Sequence, residues 1–141
     1  MIKDLTITPL KIIKTPNGDV LHGIKESDKG FSGFSESYFS DVGFKLIKGW
    51  KRHKSMTLNL IVPTGMIKFV FYDDRETKDI FQEIVLSRSN YIRVTVPPMI
   101  WVAFQGLDKN NSTLMNLANQ EHDPDEFDTL DLNKINYQWE N

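Results

Sequence analysis

The sequence predicts an all-β domain of the sandwich or barrel type, and three observations support this prediction. Roughly nine or ten short runs alternate apolar and polar residues, as half-buried strands do. Turn residues recur every ~8–12 positions between these runs. No run of about 12 residues in the body of the chain has helical amphipathic spacing, and no repeat or linker divides the sequence. We therefore expect residues 1–141 to form one domain.

The front of the chain supplies short strands separated by turns. Asn17-Gly18 forms the centre of a tight turn, because both residues tolerate positive φ. The polar residues Glu26–Gly33 predict a loop. The predicted strands of this part are Leu5–Ile13, Val20–Ile24, Phe34–Ser40 and Phe44–Trp50.

The stretch Ile47–Arg75 contains the highest density of polar groups beside apolar strand. Because residues two apart share a face of a strand, Lys51 and His53 point one way and Trp50 and Arg52 the other. Two further strands follow, Met56–Val62 and Ile67–Tyr72, separated by a Pro-Thr-Gly turn. We expect Met56, Leu58 and Leu60 to face the core.

The rear of the chain continues the same pattern. Pro97-Pro98 ends one strand, because proline cannot donate a ladder hydrogen bond. From Gln120 the chain turns acidic, and Asp123–Glu126 predicts the start of a short helix with Pro124 in its first turn. The predicted strands here are Ile80–Leu86, Tyr91–Val96, Met99–Phe104 and Thr113–Ala118.

Composition excludes several classes of protein. Hydrophobic residues make up 40% and charged residues 26%, as is ordinary for a globular protein. The net charge of −2 gives no nucleic-acid footprint. No segment approaches the roughly 18 apolar residues of a membrane span, and the first residues lack the apolar run of a signal peptide. The expectation is a cytoplasmic protein with neither nucleic-acid nor membrane partners.

Common catalytic and metal-binding motifs are absent from the sequence. It has no glycine-rich phosphate loop, no Gly-x-Ser-x-Gly elbow and no His-Glu-x-x-His. Cysteine is absent and only His22, His53 and His122 are present. A pair of histidine ligands on one strand needs histidines two apart, and position 51 is lysine. A metal site is therefore not expected.

Five patches follow one another along the chain: Lys48–His53, Gly65–Arg75, Leu86-Ser87, Pro97–Phe104 and Asn136–Trp139. In this order they resemble dTDP-4-dehydrorhamnose 3,5-epimerases, which have the cupin jelly-roll fold. The resemblance runs from about Gly33 to Trp139, with a front shorter than in typical members.

The resemblance implies an enzyme that binds a dTDP- or CDP-linked 4-keto-6-deoxy sugar, as in deoxysugar and surface polysaccharide biosynthesis. Such an epimerase removes a proton beside the ketone (at C3, C5 or both) and returns one on the other face. Family members use a histidine as base, an aspartate that orients it and a tyrosine as acid, without a metal or organic cofactor. They dimerise, and the apolar Phe34–Phe39 segment is expected to contribute to a homodimer.

The resemblance also implies that this chain differs from the family at the catalytic positions. The family's catalytic histidine falls on Lys51, and His53 takes a position held elsewhere by glutamine or a second histidine. The family's tyrosine falls near Asn116, which is no useful proton donor. The orienting aspartate matches Asp131 or Asp128. The base is therefore either Lys51 or His53, and His53 has the better intrinsic pKa, near 6.5.

Substrate-binding candidates come from the basic and aromatic residues of these patches, namely Lys48, Trp50, Arg52, Arg75 and Trp101. The cluster of Lys48, Lys51, Arg52 and Lys54 would hold a diphosphate, or would form a solvated strand edge. Trp50 and Trp101 would equally serve as core aromatics. The pair of Asp73 and Arg75 would equally tie down a strand end.

Two functional hypotheses follow. The first is an epimerase of a nucleotide 4-keto sugar with His53 or Lys51 as base. The alternative is a catalytically degenerate relative that binds a nucleotide sugar or partners an active homologue. A metal-dependent cupin of another reaction type is a distant third.

Overall fold

Twelve strands and one short 3₁₀ turn make up the protein in the computed structural model, which describes residues 1–140. Within that range, no helix is long and apolar enough to cross a membrane. The strands are β1 Thr6–Pro9, β2 Ile12–Ile13, β3 Val20–Leu21, β4 Glu36–Val42, β5 Ile47–His53, β6 Leu58–Thr64, β7 Met66–Asp73, β8 Ile80–Ser87, β9 Ile92–Val96, β10 Trp101–Gly106, β11 Ser112–Ala118 and β12 Phe127–Thr129; the 3₁₀ turn is Leu132–Lys134.

Two antiparallel sheets of five strands form the body of the protein. The first has the order β1-β9-β6-β11-β4 and the second the order β12-β5-β10-β7-β8, while β2 and β3 pair separately. Apart from the consecutive strands β7 and β8, neighbours in the two large sheets are distant in sequence, as in a jelly roll. The all-β prediction for this chain is confirmed.

The inner faces of the sheets enclose the main core. Phe69 and Phe71 of β7 are completely buried, and their rings stack with centroids 6.0 Å apart. Met56, Leu58 and Leu60, which the alternation places inward, are all members of this core, so that prediction is confirmed.

The outer face of the second sheet is also covered, which explains why β7 is buried on both faces. Trp50, Val70 and Trp101 form a second cluster there, and the C-terminal residues Tyr137 and Trp139 pack over it. The C-terminal segment therefore acts as a strap that keeps water off this sheet.

A β-bulge interrupts β5 next to β10. Val102 pairs with Lys51 and Phe104 pairs with Lys48, so two residues of β5 face one residue of β10. Gly49 is required at this point, because a Cβ there would lie 2.4 Å from Ala103 Cβ. The extra residue brings Lys48 back to the inner face with Lys51.

The helix predicted from Asp123–Glu126 is wrong. Residues 124–125 form a turn, and the chain then enters β12. Glu126 is held by long-range hydrogen bonds to the end of β5, and these outweigh the local helix-start signal. The strand predicted at Val20–Ile24 is limited to two residues.

Candidate functional site

A cavity of about 260 Å³ lies between the two sheets. Its floor and sides are apolar, and its polar groups are confined to two opposite walls. Lys48, Lys51 and His53 project from β5, while Tyr38 and Asn116 project from the facing sheet. The apolar lining residues are Leu58, Leu60, Phe69, Val102, Phe104 and Leu114. Such a cavity, apolar with a few convergent polar groups, is the usual form of a small-molecule site.

His53 is held by a carboxylate that the sequence did not indicate. Nδ1 of His53 lies 2.5 Å from Oε1 of Glu126. The other carboxylate oxygen, Oε2, accepts backbone hydrogen bonds from Lys54, Ser55 and Met56 at 2.9–3.0 Å. Glu126 therefore cannot turn away, and the imidazole is fixed in one orientation.

The charges of this pair are set by burial and hydrogen bonding. Burial alone would raise the pKa of Glu126, but the amides of Ser55 and Met56 and the imidazole of His53 together hold it below the usual value. Burial lowers the pKa of His53 more strongly than Glu126 raises it. Glu126 is then ionised and His53 neutral, with its Nδ1–H donated to Glu126. The lone pair on Nε2 is left to act as a base.

Lys51 lies beside His53 on the same wall. Its Nζ is 4.1 Å from the centroid of the Phe127 ring, within the range of a cation–π contact. Burial lowers the pKa of Lys51, and Glu126 and Glu36 oppose that shift. Lys51 and His53 share one face of β5, as the alternation predicts.

Asn116 and Tyr38 are directly paired across β11 and β4 and line the opposite wall. Asn116 lies in the cavity, as the resemblance implies, with Nδ2 3.4 Å from Oγ of Ser40. Burial raises the pKa of the Tyr38 phenol, which therefore keeps its proton at neutral pH. Sequence reasoning missed Tyr38, although its phenol lies next to the position where the resemblance puts the family's acid.

Three of the predicted substrate-binding residues lie on the outer face of the second sheet, away from the cavity. Trp50 is 1% exposed and Trp101 is 4% exposed, both within the outer cluster. The Arg52 guanidinium stacks over Trp101 at 4.4 Å and binds Asp128 at 2.9 Å. These contacts favour a structural role for all three residues.

Arg75 and Asp131 are not brought to the cavity either. The Arg75 side chain binds both carboxylate oxygens of Asp73 at 2.8 and 2.9 Å, at the end of β7. Asp131 precedes the 3₁₀ turn on the outer side of β5. The predicted orienting role of Asp131 is filled by Glu126, and Asp128 binds Arg52 instead.

The described residues contain no group of three or more histidine, cysteine, aspartate or glutamate side chains that would hold a metal ion.

Comparison with known proteins places this site in a family. The family model described as FdtA: WxcM-like, C-terminal, matches residues 3–134. A dTDP sugar isomerase from Desulfovibrio desulfuricans G20 superposes with a TM-score of 0.93 at 30% identity, covering 98% of this chain and 92% of that one. Among curated proteins, none matches the chain.

Two more distant structures share the fold. The sugar 3,4-ketoisomerase QdtA from Thermoanaerobacterium thermosaccharolyticum, in complex with TDP, has a TM-score of 0.76 at 19% identity, over 90% of this chain and 88% of that one. An RmlC epimerase from Legionella pneumophila Philadelphia 1, in complex with dTDP-4-keto-L-rhamnose, has a TM-score of 0.80 at 17% identity, over 93% and 74%. The resemblance to the epimerases is confirmed at the level of the cupin-like fold. By the match of its sequence over residues 3–134, the chain belongs to the family described as FdtA: WxcM-like, C-terminal.

Proposed function

We propose that the protein is an isomerase of a nucleotide-linked 4-keto-6-deoxy sugar that moves a proton at the carbon next to the ketone. The observation that carries the proposal is the buried His53–Glu126 pair on the wall of an apolar cavity. Relatives of the same fold support it, because one has been solved with TDP-4-keto-6-deoxyglucose and another with dTDP-4-keto-L-rhamnose.

His53 is the base in this proposal. The ketone makes the neighbouring C–H acidic, and Nε2 of His53 takes that proton. The electron pair of the broken C–H bond forms a C=C bond, and the carbonyl π pair moves to oxygen to give an enolate. Glu126 stabilises the imidazolium that forms and keeps its ring in place. Because the cavity is apolar, water competes poorly for the enolate.

The return of the proton decides the product, and we favour migration of the ketone to the neighbouring carbon. In that reaction the hydrogen leaves C3 and returns to C4, while a proton passes from O3 to O4, so one base on one face suffices. Among the described residues that line the cavity, His53 is the only imidazole and no carboxylate lines it directly. With Asn116 at the position of the family's acid, one-sided transfer fits these residues best.

Epimerisation at C3 or C5 is the second candidate, and Tyr38 is the observation that supports it. Inversion needs a donor on the face opposite the base, and Tyr38 projects from the wall opposite His53. Its protonated phenol is able to supply that proton.

One experiment tests the whole proposal. The protein is incubated with dTDP- or CDP-4-keto-6-deoxyglucose in deuterated water and the sugar is followed by NMR. Deuterium bound to carbon supports proton abstraction; a moved ketone identifies the keto shift, and an inverted carbon identifies the epimerase. A sugar that shows neither deuterium exchange nor a moved ketone nor an inverted carbon, with either nucleotide, contradicts the proposal and favours the degenerate, non-catalytic alternative.

The nucleotide is proposed to bind at Lys48. This residue is exposed at the edge of the cavity, and it shares the inner face of β5 with Lys51 and His53. A diphosphate needs charge-assisted donors at that place. A dTDP- or CDP-linked sugar would then have its pyrophosphate at the rim and its ketone inside.

A homodimer remains part of the proposal. β4 is an edge strand, and large apolar side chains around it are exposed, including Phe39 at 68%, Phe34 at 61% and Leu46 at 64%. Exposed apolar patches of this kind typically mark an interface. Sedimentation at micromolar concentration checks this, and a monomer contradicts it. The cytoplasmic location stays a prediction from the sequence.

A further inference from the structure

The cations of β5 and Lys54, which follows that strand, differ in how their charges are balanced. On the outer face, Asp128 lies 2.9 Å from Arg52 and 3.7 Å from the Lys54 ammonium, and Asp74 lies 3.6 Å from Arg52. On the inner face, Lys48 and Lys51 have no carboxylate within 4.0 Å among residues 1–140.

Holding an unpaired cation in a half-buried apolar cavity costs free energy. Removing an ammonium from water is unfavourable unless a counter-charge or hydrogen bonds replace the lost hydration. The carboxylate nearest the site, Glu126, has its oxygens engaged by His53 and three backbone amides. Lys51 receives only the face of Phe127 in return. The cavity is therefore electrostatically incomplete until an anion enters it.

Resting on the proposed function, we propose that Lys51 is the group that stabilises the enolate oxygen, and not the base. When His53 removes the proton, negative charge develops on the former ketone oxygen. Lys51 and His53 are two residues apart on one face of β5, about 6.6 Å along the strand. Both side chains then reach adjacent carbons of one sugar ring. The ammonium binds the oxyanion or gives it a proton. In the keto shift O4 keeps that proton, and the lysine amine takes another from O3 as the ketone forms at C3; in epimerisation the amine takes the same proton back from O4.

The charged and titratable groups around Lys51 favour its role as a cation that stabilises the oxyanion over a role as the base. His53 and Lys48 lie on its own strand, Glu126 lies in the segment before β12, and Glu36 and Tyr38 lie on β4, while His122 acts on His53. Burial, with a smaller contribution from the positive charge of Lys51, lowers the pKa of His53, which keeps the imidazole neutral. Burial lowers the pKa of Lys51 itself, which makes proton transfer to the oxyanion easier. A neutral base and a cationic acid are thus held side by side.

Substitution at position 51 tests the role. The rate of deuterium wash-in is measured for the unmodified protein and for Lys51→Met, Lys51→Arg and Lys45→Met, with TDP affinity measured by calorimetry and folding by circular dichroism. Lys45 is the matched control, because its ammonium also lies over a phenylalanine ring, 5.3 Å from the Phe44 centroid, but outside the cavity.

Loss of one oxyanion-stabilising donor typically lowers the rate about 10²–10³-fold. We expect a loss of that size in Lys51→Met with unchanged TDP affinity, partial activity in Lys51→Arg, and full activity in Lys45→Met. Full exchange in folded Lys51→Met overturns the proposal.

The pH dependence of exchange distinguishes the cation from a base. If Lys51 acts as a cation, the rate of the unmodified protein falls as the ammonium loses its proton at high pH, and this limb is absent in Lys51→Met. A rate that instead rises through that limb identifies Lys51 as the base and overturns the proposal. A sugar that neither exchanges nor changes in the presence of the unmodified protein is a separate result, which removes the proposed function itself.

Discussion

The two faces of β5 use the same kinds of side chain for opposite purposes. On the outer face, Trp50 is packed by the C-terminal strap and Arg52 is stacked on Trp101 and bound to Asp128. On the inner face, Lys51 and His53 border a cavity, and Lys51 has no carboxylate within 4.0 Å among the described residues.

The comparison shows that the residue type of a polar side chain does not by itself tell a structural candidate from a functional one. What distinguishes them is whether neighbouring groups satisfy the hydrogen bonds and the charge of that side chain. The outer residues have their charges balanced and their surfaces covered, so they contribute chiefly to stability. The inner residues are positioned by their neighbours but leave one group free, Nε2 of His53 or the Lys51 ammonium. Substitutions on the outer face should therefore change stability, and those on the inner face should change binding or exchange.

The largest expected effect is on the inner face, at His53. We expect His53→Asn to lower deuterium wash-in about 10²–10⁴-fold, because the base is lost while a polar group of similar size remains. NMR of the sugar in deuterated water measures this rate. Exchange at the unmodified rate in a folded His53→Asn protein would contradict the assignment of the base.

Substitutions on the outer face of β5 should lower the free energy of unfolding. Trp50→Ala removes a buried indole, and truncations of this kind typically cost about 3–5 kcal/mol of unfolding free energy. Urea unfolding measures the loss, with Lys51→Met as the inner-face counterpart that is expected to cost little. Equal losses in the two variants would erase the distinction between the faces.

Nucleotide affinity gives a third, smaller test. Lys48→Ala should weaken TDP binding by about 1.5–3 kcal/mol, because the diphosphate loses a charge-assisted hydrogen bond. Arg52→Ala should leave affinity unchanged and cost about 1–2 kcal/mol of stability through its lost ring and carboxylate contacts. Calorimetry and urea unfolding measure the two quantities. Weakened TDP binding in Arg52→Ala would contradict the structural role and indicate that Arg52 contributes to the substrate site.

The smallest expected effect is in the pH dependence of stability. Burial lowers the pKa of His53 in the folded protein below its unfolded value near 6.5. Between the two values the unfolded state binds more protons, so the unfolding free energy falls as pH drops below about 6.5. His53→Asn should remove this part of the slope in urea unfolding between pH 8 and 5.5. The exposed His22→Asn serves as control, and a slope unchanged in His53→Asn contradicts the prediction.

Strand periodicity predicted what depends on local alternation. It gave the shared face of Lys51 and His53, the inward direction of Leu58 and Leu60, and the β class of the whole chain. These results follow from the two-residue period of a strand, which any single sequence displays.

Contacts across the barrel join residues far apart in the sequence, and the two-residue period of a strand does not predict them. Glu126 is 73 residues from His53, in a segment whose proline and acidic residues signal a helix start. Tyr38 meets Asn116 only through the register of β4 on β11, which a single sequence does not specify. The aromatic residues Trp50 and Trp101 were ambiguous, because a tryptophan in a strand suits a core as well as a ligand.

The bulge at Gly49 sets the phase of the strand on either side of it. If the same residues of β5 paired with β10 without the bulge, Lys48 would share the face of Trp50 and Arg52, and the rim of the cavity would lose its cation. The bulge thus helps to determine the electrostatic potential that a ligand meets. The charge at the rim of the cavity therefore depends on a local irregularity of the backbone as well as on the choice of side chain at position 48.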